Sequence, residues 1–144
     1  MTDLHAPARL PEDSPEIAIS VPASSAYLSV LRTAAAGLAA RLDFTIDDIE
    51  DLRIAVDEAC AILLMHAQPG GLLDCRFDLL DDSIVVTVSI VSGSADVPPH
   101  EGFSWTVLSA LATAVRMEVR PGTGRGDHRL VIMLTQTGKR VESQ

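Results

Sequence analysis

The fold of this chain is decided by the stretch Asp51-Leu-Arg-Ile-Ala-Val-Asp-Glu-Ala-Cys-Ala-Ile-Leu-Leu-Met-His-Ala67. Its apolar residues recur three or four positions apart, which is the spacing of a buried helical stripe. The residues of that stripe are Leu52, Val56, Ala59 and Leu63. A second set falls four apart along another face of the same helix, and it consists of Glu58, Ile62 and His66. The pattern predicts one long helix with a core face and a second, chemically distinct face.

The remaining pattern predicts the element order β-α-α-β-β-α-β-β. The strands are expected over residues 16–22, 72–79, 83–91, 117–120 and 128–135. The helices are expected over residues 24–41, 45–67 and 103–115, with Thr45 as the N-cap of the second. One sheet covered by helices is the simplest way to bury these apolar faces. We therefore predict an α+β fold, a two-layer sandwich whose mixed, mainly antiparallel sheet has three helices on one face.

Composition indicates a single domain. Residues 1–15 are polar and proline-containing and are expected to be a flexible leader, residues 16–137 form the domain, and residues 138–144 form a flexible tail. The chain is 47% hydrophobic but only 3% aromatic, so the core must be mainly aliphatic. No export signal is visible in residues 1–15. The longest apolar run, residues 59–65, is too short to cross a bilayer of about 30 Å. These features predict a cytoplasmic protein without a membrane association.

The formal net charge of −9 disfavours nucleic-acid binding and favours a basic partner. The alternative is ordinary acidity that keeps a protein soluble. Cys60 and Cys75 are too far apart in sequence for a Cys-x-x-Cys site. Their surroundings indicate small buried hydrophobic residues, although a disulfide between them stays open.

Several motifs occur in the order found in RsbW/SpoIIAB-type anti-sigma factors, which belong to the GHKL ATPase superfamily. The helix motif Glu-Ala-x-x-Asn-x-x-x-His of that superfamily is matched at Glu58, Ala59 and His66. The lead-in 31–45, the acidic turn 46–51 and the later segment 102–108 follow in the same order. The chain thus resembles this family over nearly its whole length. The resemblance implies the GHKL fold and a protein that holds a sigma factor away from RNA polymerase.

Three positions depart from the nucleotide contacts of that family. Ile62 replaces the Asn that binds magnesium in the relatives, and an alkyl side chain cannot coordinate a hard cation. Val91 replaces the Asp that recognises adenine, and only Gly93 of that motif is kept. In the third motif, Gly102 is kept but Ser104 stands where a second glycine lets the backbone approach phosphate. The sequence therefore predicts a vestigial nucleotide pocket, with Glu58 as a vestigial general base.

Three functions follow as alternatives. The first is an anti-sigma factor in a stress response, which binds a sigma factor and is antagonised by an anti-anti-sigma protein in partner switching, with no metal, no cofactor and no catalysis. The second is an active serine kinase that uses ATP and magnesium to phosphorylate that antagonist. The third is a small-ligand sensor that uses the vacated pocket.

The partner surface is expected on the first helix. Arg32 matches an arginine that contacts both the sigma factor and the antagonist in the SpoIIAB type, so this role is implied by the resemblance. Tyr27, Leu28 and Arg41 are expected in the same patch. The resemblance also implies a homodimer, for which apolar residues on the outer face of the sheet offer an interface.

Overall fold

The computed structural model describes residues 15–94, 96, 98–122, 124 and 126–138. Its strands are β1 (Glu16–Pro22), β2 (Leu72–Leu79), β3 (Ser83–Ser92), β4 (Ala114–Pro121) and β5 (His128–Thr137). Its helices are α1 (Leu28–Arg41), α2 (Ile46–Leu64) and α3 (Phe103–Leu111), and a 3₁₀ turn at Ser25–Tyr27 precedes α1. This order confirms the predicted β-α-α-β-β-α-β-β. Most of the predicted leader and tail lies outside the described residues.

The five strands form one sheet in the order β1-β2-β3-β5-β4, and each neighbouring pair is antiparallel. One row of core side chains crosses the whole sheet in register: Ile19, Cys75, Val88, Ile132 and Met117. All three helices lie on the side of the sheet that this row faces, with α2 in the centre between α1 and α3. The predicted two-layer α+β sandwich is confirmed.

Helix α2 begins where the sequence predicted. The side chain of Thr45 accepts a hydrogen bond from the backbone N–H of Asp48 at 3.1 Å. Asp47 and Asp48 place negative charge in the first turn, where the helix dipole is positive. The preceding residue Phe44 is buried, and Asp43 adopts a left-handed φ of 60° that separates α1 from α2.

The predicted apolar stripe of α2 is buried, and it is wider than expected. Six side chains of this helix are shielded from solvent: Leu52, Ala55, Val56, Ala59, Cys60 and Leu63. They pack on the inward residues of β3 and β5 in one continuous core. Because each buried leucine or valine contributes roughly 1.5–3 kcal/mol, this face fixes α2 on the sheet. Among the described residues, no helix is long and apolar enough to cross a membrane.

The third helix is shorter than predicted, and the assignment of Val115 to it was wrong. The helix ends at Leu111, and β4 begins at Ala114 rather than at residue 117. The backbone N–H of Thr113 donates to the carbonyl of Thr135 at 2.9 Å, so pairing with β5 starts immediately. Val115, Met117 and Val119 therefore share the core face of the sheet. Tertiary strand pairing here overrides a local pattern that also fits a helix.

Both cysteines are free and buried, as their surroundings predicted. Burial raises the pKa of the Cys60 thiol to about 12, and the nearby carboxylate of Asp57 adds to the effect. Burial also raises the pKa of Cys75, with a smaller contribution from Cys60. Because their pKa values are raised, both thiols are protonated near neutral pH. They are therefore poor nucleophiles, since the thiolate is the reactive form.

Candidate functional site

The end of α2, the end of β3 and the start of α3 meet at one end of the sandwich. The backbone N–H of Gln68 donates to the carbonyl of Val91 at 3.4 Å. A Cβ on Gly93 would lie 3.3 Å from Nε2 of the Gln68 side chain. Helix α3 packs on α2 and leads into β4 at the opposite end of the sheet, so its first residues lie near the end of β3. The structure thus gathers the three segments that carry the predicted pocket residues.

Glu58 and Ile62 share one side of α2, and both are half-buried. Ile62 packs against the hydrophobic core and presents only carbon atoms at the position that the resemblance implied for a magnesium ligand. His66 lies beyond the last residue of the helix, where its backbone N–H donates to the Leu63 carbonyl at 2.9 Å. The predicted face is therefore helical at Glu58 and Ile62, while His66 is an exposed residue of the following turn.

The donor set at this end does not fit a magnesium ion. Magnesium requires oxygen ligands in near-octahedral geometry, and Ile62 supplies none. Within the part of the chain that the structure describes, no group of three or more His, Cys, Asp or Glu side chains is arranged to hold a metal. The apolar side chain of Val91 likewise offers no hydrogen-bond acceptor at the position that the resemblance implied for adenine recognition.

The start of α3 has a geometry that depends on Gly102. This residue is the N-cap and has a φ of 95°, which a residue with a Cβ rarely adopts. Ser104, in the first turn of α3, is half-buried. Phe103 is 79% exposed. The rings of His100 and Trp105 stack with centroids 4.4 Å apart, a contact that sequence reasoning missed because it depends on the path of the connection before α3.

Sequence reasoning also missed Ser92 and His128, which lie opposite each other on β3 and β5. The alternation of both strands points them toward the helix layer, at the end of the sheet where β3 leads into Gly93. Ser92 is buried, and its hydroxyl accepts a hydrogen bond from the backbone N–H of Ser94 at 3.2 Å. The Nδ1 atom of His128 is buried and has no hydrogen-bond partner among the described residues. A buried polar atom without a partner can form a hydrogen bond with a ligand or a water molecule.

The predicted partner patch on α1 is only partly assembled. Arg32 Nε lies 3.5 Å from Asp57 Oδ1 on α2, and both side chains are more than one third exposed. Tyr27 is exposed in the turn before α1. Leu28 does not share this exposure, because it is only 8% accessible and packs in the core. Arg41 is exposed at the other end of α1, about 14 Å from Arg32 at the rise of an α-helix.

The outer face of the sheet carries a lattice of ion pairs. Arg76 contacts Glu16 at 3.2 Å and Asp78 at 3.1 Å. Arg129 contacts Asp74 at 3.1 Å, and Arg120 contacts Glu118 at 2.8 Å. Beside these pairs the face also carries Val85, Val131 and Met133. The predicted apolar residues are present there, but they are interleaved with charges of both signs.

A layer of three helices on an antiparallel sheet, with the end of its central helix beside the start of the third, defines the ATPase-like class of α+β sandwiches. The family model for the histidine kinase-like ATPase domain matches residues 21–126, and the chain belongs to this family. A crystal structure of the RsbU and RsbW domains of a Mycobacterium tuberculosis protein supports the fold, with a TM-score of 0.57 at 17% identity. That match covers 90% of this chain and 34% of the other.

Curated relatives confirm the resemblance to RsbW. The serine-protein kinase RsbW of Halalkalibacterium halodurans is 40% identical over 82 residues, which is 56% of this chain and 51% of the relative. The anti-sigma-F factor RsbW of Mycobacterium tuberculosis is 36% identical over 100 residues, or 69% of this chain and 60% of the relative. The serine-protein kinase RsbW of Bacillus subtilis is 37% identical over 83 residues, 56% of this chain and 52% of that protein. The chain spans between half and three fifths of the length of these relatives.

Proposed function

We propose that this chain is an anti-sigma factor. It binds a sigma factor stoichiometrically in the cytoplasm and keeps it from RNA polymerase, and an anti-anti-sigma protein competes for the same surface and releases the sigma factor. This partner switching would serve a stress response. The observation that carries the proposal is the 36% identity over 100 residues to a relative that is itself an anti-sigma-F factor.

The charge of the helix layer supports a basic partner. Helix α2 alone carries Asp47, Asp48, Glu50, Asp51, Asp57 and Glu58, with Arg53 as its one basic residue. Opposite charges steer encounter and set specificity, so an acidic surface favours the basic, DNA-reading surfaces of a sigma factor. Arg32, which lies beside this acidic helix, would contribute a bidentate contact to a partner carboxylate.

We propose further that regulation does not use phosphoryl transfer. This reaction depends on positioning and on charge stabilisation around a metal-bound phosphate. Ile62 and Val91 remove the magnesium ligand and the adenine acceptor, and Ser104 adds a side chain where phosphate would approach the backbone. Glu58 would then have no phosphate beside which to act as a base. The alternative, an active serine kinase, requires contacts to ATP and magnesium from other groups.

A homodimer built on the outer face of the sheet is part of the proposal. The accessible charges of this face form an array of both signs: Glu16, Asp74, Glu118, Arg76, Arg116, Arg120 and Arg129. Around a two-fold axis the same patch meets itself, and such an array can exchange its internal ion pairs for pairs between protomers. The remaining surface, which is strongly acidic, would repel a second copy.

The proposal is tested by reconstitution. Co-purification from the native host identifies the sigma factor and the antagonist, and calorimetry then measures each binary complex and their competition. We expect saturable binding of the sigma factor, its displacement by the antagonist, and inhibition of transcription by the sigma-loaded polymerase. Labelled ATP with magnesium and the antagonist should give no stoichiometric phosphate transfer. Absence of any sigma-factor complex would refute the anti-sigma role, and robust labelling would refute the non-enzymatic mechanism.

One observation favours a second candidate, a small-ligand sensor. The buried Nδ1 of His128, which lies opposite Ser92 on the neighbouring strand, provides a polar anchor in the helix-facing side of the sheet. A ligand that hydrogen-bonds to this atom would satisfy it and occupy the vacated pocket. Native mass spectrometry of protein purified from the host would detect a retained molecule, and the His128→Phe substitution should abolish retention. A bare mass for the wild-type protein would argue against this candidate.

A further inference from the structure

Helix α2 carries a row of exposed and half-buried side chains on the face opposite the core. This row, called the α2 ridge below, consists of Ile46, Glu50, Ile54, Asp57, Ala61 and Met65. The steps between successive members are four or three residues, so at 3.6 residues per turn the ridge occupies an arc of about 100°. Ile46 is 83% exposed, Ile54 is 38% exposed and Met65 is 82% exposed. The outward face of the central helix therefore carries four apolar side chains, Ile46, Ile54, Ala61 and Met65, with Glu50 and Asp57 between them.

The apolar members of the ridge, Ile46, Ile54, Ala61 and Met65, are eight, seven and four residues apart, so all four lie on one helical face. Isolated exposed apolar residues are common on protein surfaces and need no explanation. Four apolar side chains aligned on one face, about two turns and then one turn apart, form a surface that a second helix can pack against. The ridge runs from the first residue of α2 to its C-cap, a length of nearly 30 Å at 1.5 Å per residue. The matching occupant is a helix of similar length.

The charges beside the ridge select the sign of that occupant. Glu50 and Asp57 lie within the ridge, and Asp47 and Glu58 lie next to it. Glu50 is 2.7 Å from Arg53 and Asp57 is 3.5 Å from Arg32, and in both pairs the side chains are solvent-exposed. Exposed ion pairs of this kind contribute only about 0–1 kcal/mol, so a partner can exchange them at small cost. A basic partner helix would meet more negative charge here than these two arginines neutralise.

We propose that the α2 ridge docks a basic amphipathic helix of a partner protein. Apolar residues of that helix, at steps of three and four, pack on Ile54, Ala61 and Met65, while its lysines or arginines pair with Glu50 and Asp57. Pairing of Asp57 with the partner releases Arg32 to contact a partner carboxylate. This inference deepens the proposed function and takes the identity of the partner from it, since the docking helix would belong to the sigma factor.

The probe for the ridge is a synthetic amphipathic peptide of leucine and lysine, about 18 residues long and thus able to span most of α2. A scrambled peptide of the same composition but without an apolar face is its control. Calorimetry at physiological salt should show the amphipathic peptide binding at least about tenfold more tightly, a difference of about 1.4 kcal/mol. Amide chemical-shift changes in NMR should centre on Ile54, Ala61 and Met65. Equal binding of both peptides, or shifts centred on another surface, would overturn the proposal.

Matched variants distinguish specific binding at the α2 ridge from nonspecific binding to exposed apolar residues. The double substitution Ile54→Ser with Met65→Ser removes the two apolar anchors from exposed positions, where folding is little affected. It should weaken the amphipathic peptide at least about tenfold. Leu72→Ser is the control, because Leu72 is 54% exposed but lies at the start of β2. Unchanged peptide affinity in the double variant would refute the α2 ridge as the docking site.

The sigma factor provides the second arm. If it binds the wild-type chain and the double variant equally, the ridge is refuted as its docking site while the anti-sigma role stands. If no sigma factor binds but the amphipathic peptide still maps to the ridge, the anti-sigma role fails and the ridge stands as a site for another basic helix. Weakened binding of both the sigma factor and the peptide supports the two together.

Discussion

Arg32 on α1 and Asp57 on α2 form an ion pair, with 3.5 Å between Nε and Oδ1, across the junction of the two helices. The pair joins the residue implied in partner recognition to the acidic outer face of the central helix. Both side chains are more than one third exposed, so water screens the attraction and a partner can reach either group. The pair holds the guanidinium near the surface where a partner is expected, without burying it.

The first prediction concerns Arg32. The Arg32→Ala substitution should change the free energy of unfolding by less than about 1 kcal/mol, because an exposed pair contributes little. It should weaken the sigma-factor complex at least about tenfold if Arg32 contacts a partner carboxylate. Calorimetry and urea denaturation measure the two effects. Thr33→Ala, at the next exposed position of α1, is the control, and equal losses in both variants would contradict a specific role for Arg32.

The second prediction concerns nucleotide binding. A ligand that binds only the native state raises the unfolding midpoint. Because we expect no nucleotide binding, the wild-type protein should show no shift of this midpoint in millimolar ATP with magnesium. The triple variant Ile62→Asn, Val91→Asp and Ser104→Gly restores the three family residues and should gain a magnesium-dependent shift. The single variant Val91→Asn is the matched control, because it places an amide at position 91 but leaves Ile62, which cannot bind magnesium. A clear shift for the wild-type chain would show that other groups bind the nucleotide.

Sequence alone predicted the parts of this structure that depend on local chemistry. The N-cap at Thr45, the stripe at Leu52 and Leu63, and the strand boundaries of β2 each follow from capping, from helical spacing or from alternation. The boundary between α3 and β4 was missed because Val115 fits both periods and its pairing with β5 decides the outcome. The Arg32–Asp57 pair and the buried Nδ1 of His128 were also missed, since they join elements distant in sequence.

The third prediction concerns the start of α2. Thr45→Ala removes the hydroxyl that accepts the N–H of Asp48, which leaves one orphan donor of the first turn without its partner. Loss of such a cap costs about 0.5–2 kcal/mol, and urea unfolding should show a decrease in this range with an unchanged slope. Thr45→Ser keeps the hydroxyl and should recover most of the loss. A variant Thr45→Ala as stable as wild type would contradict the capping role.

The fourth prediction concerns pH and Cys60. Its folded pKa is raised from 9.0 to about 12, chiefly by burial, so the folded state keeps a proton that the unfolded chain loses above pH 9. Stability from this group is therefore fully present below pH 9 and is lost as the pH rises toward 12. Replacement by alanine leaves a small cavity and lowers stability at pH 7, but it should flatten the decline above pH 9. Urea denaturation across this pH range compares the two slopes.

A thiol reagent gives the same test a second readout. At pH 8 the native protein should react slowly with an aromatic disulfide, because the thiolate is the attacking form and both cysteines are buried. In denaturing urea, where burial is lost, both thiols should react rapidly. Fast reaction of the native wild-type protein that disappears in Cys60→Ala would show that Cys60 reaches solvent through local opening, which would contradict a pKa raised by burial.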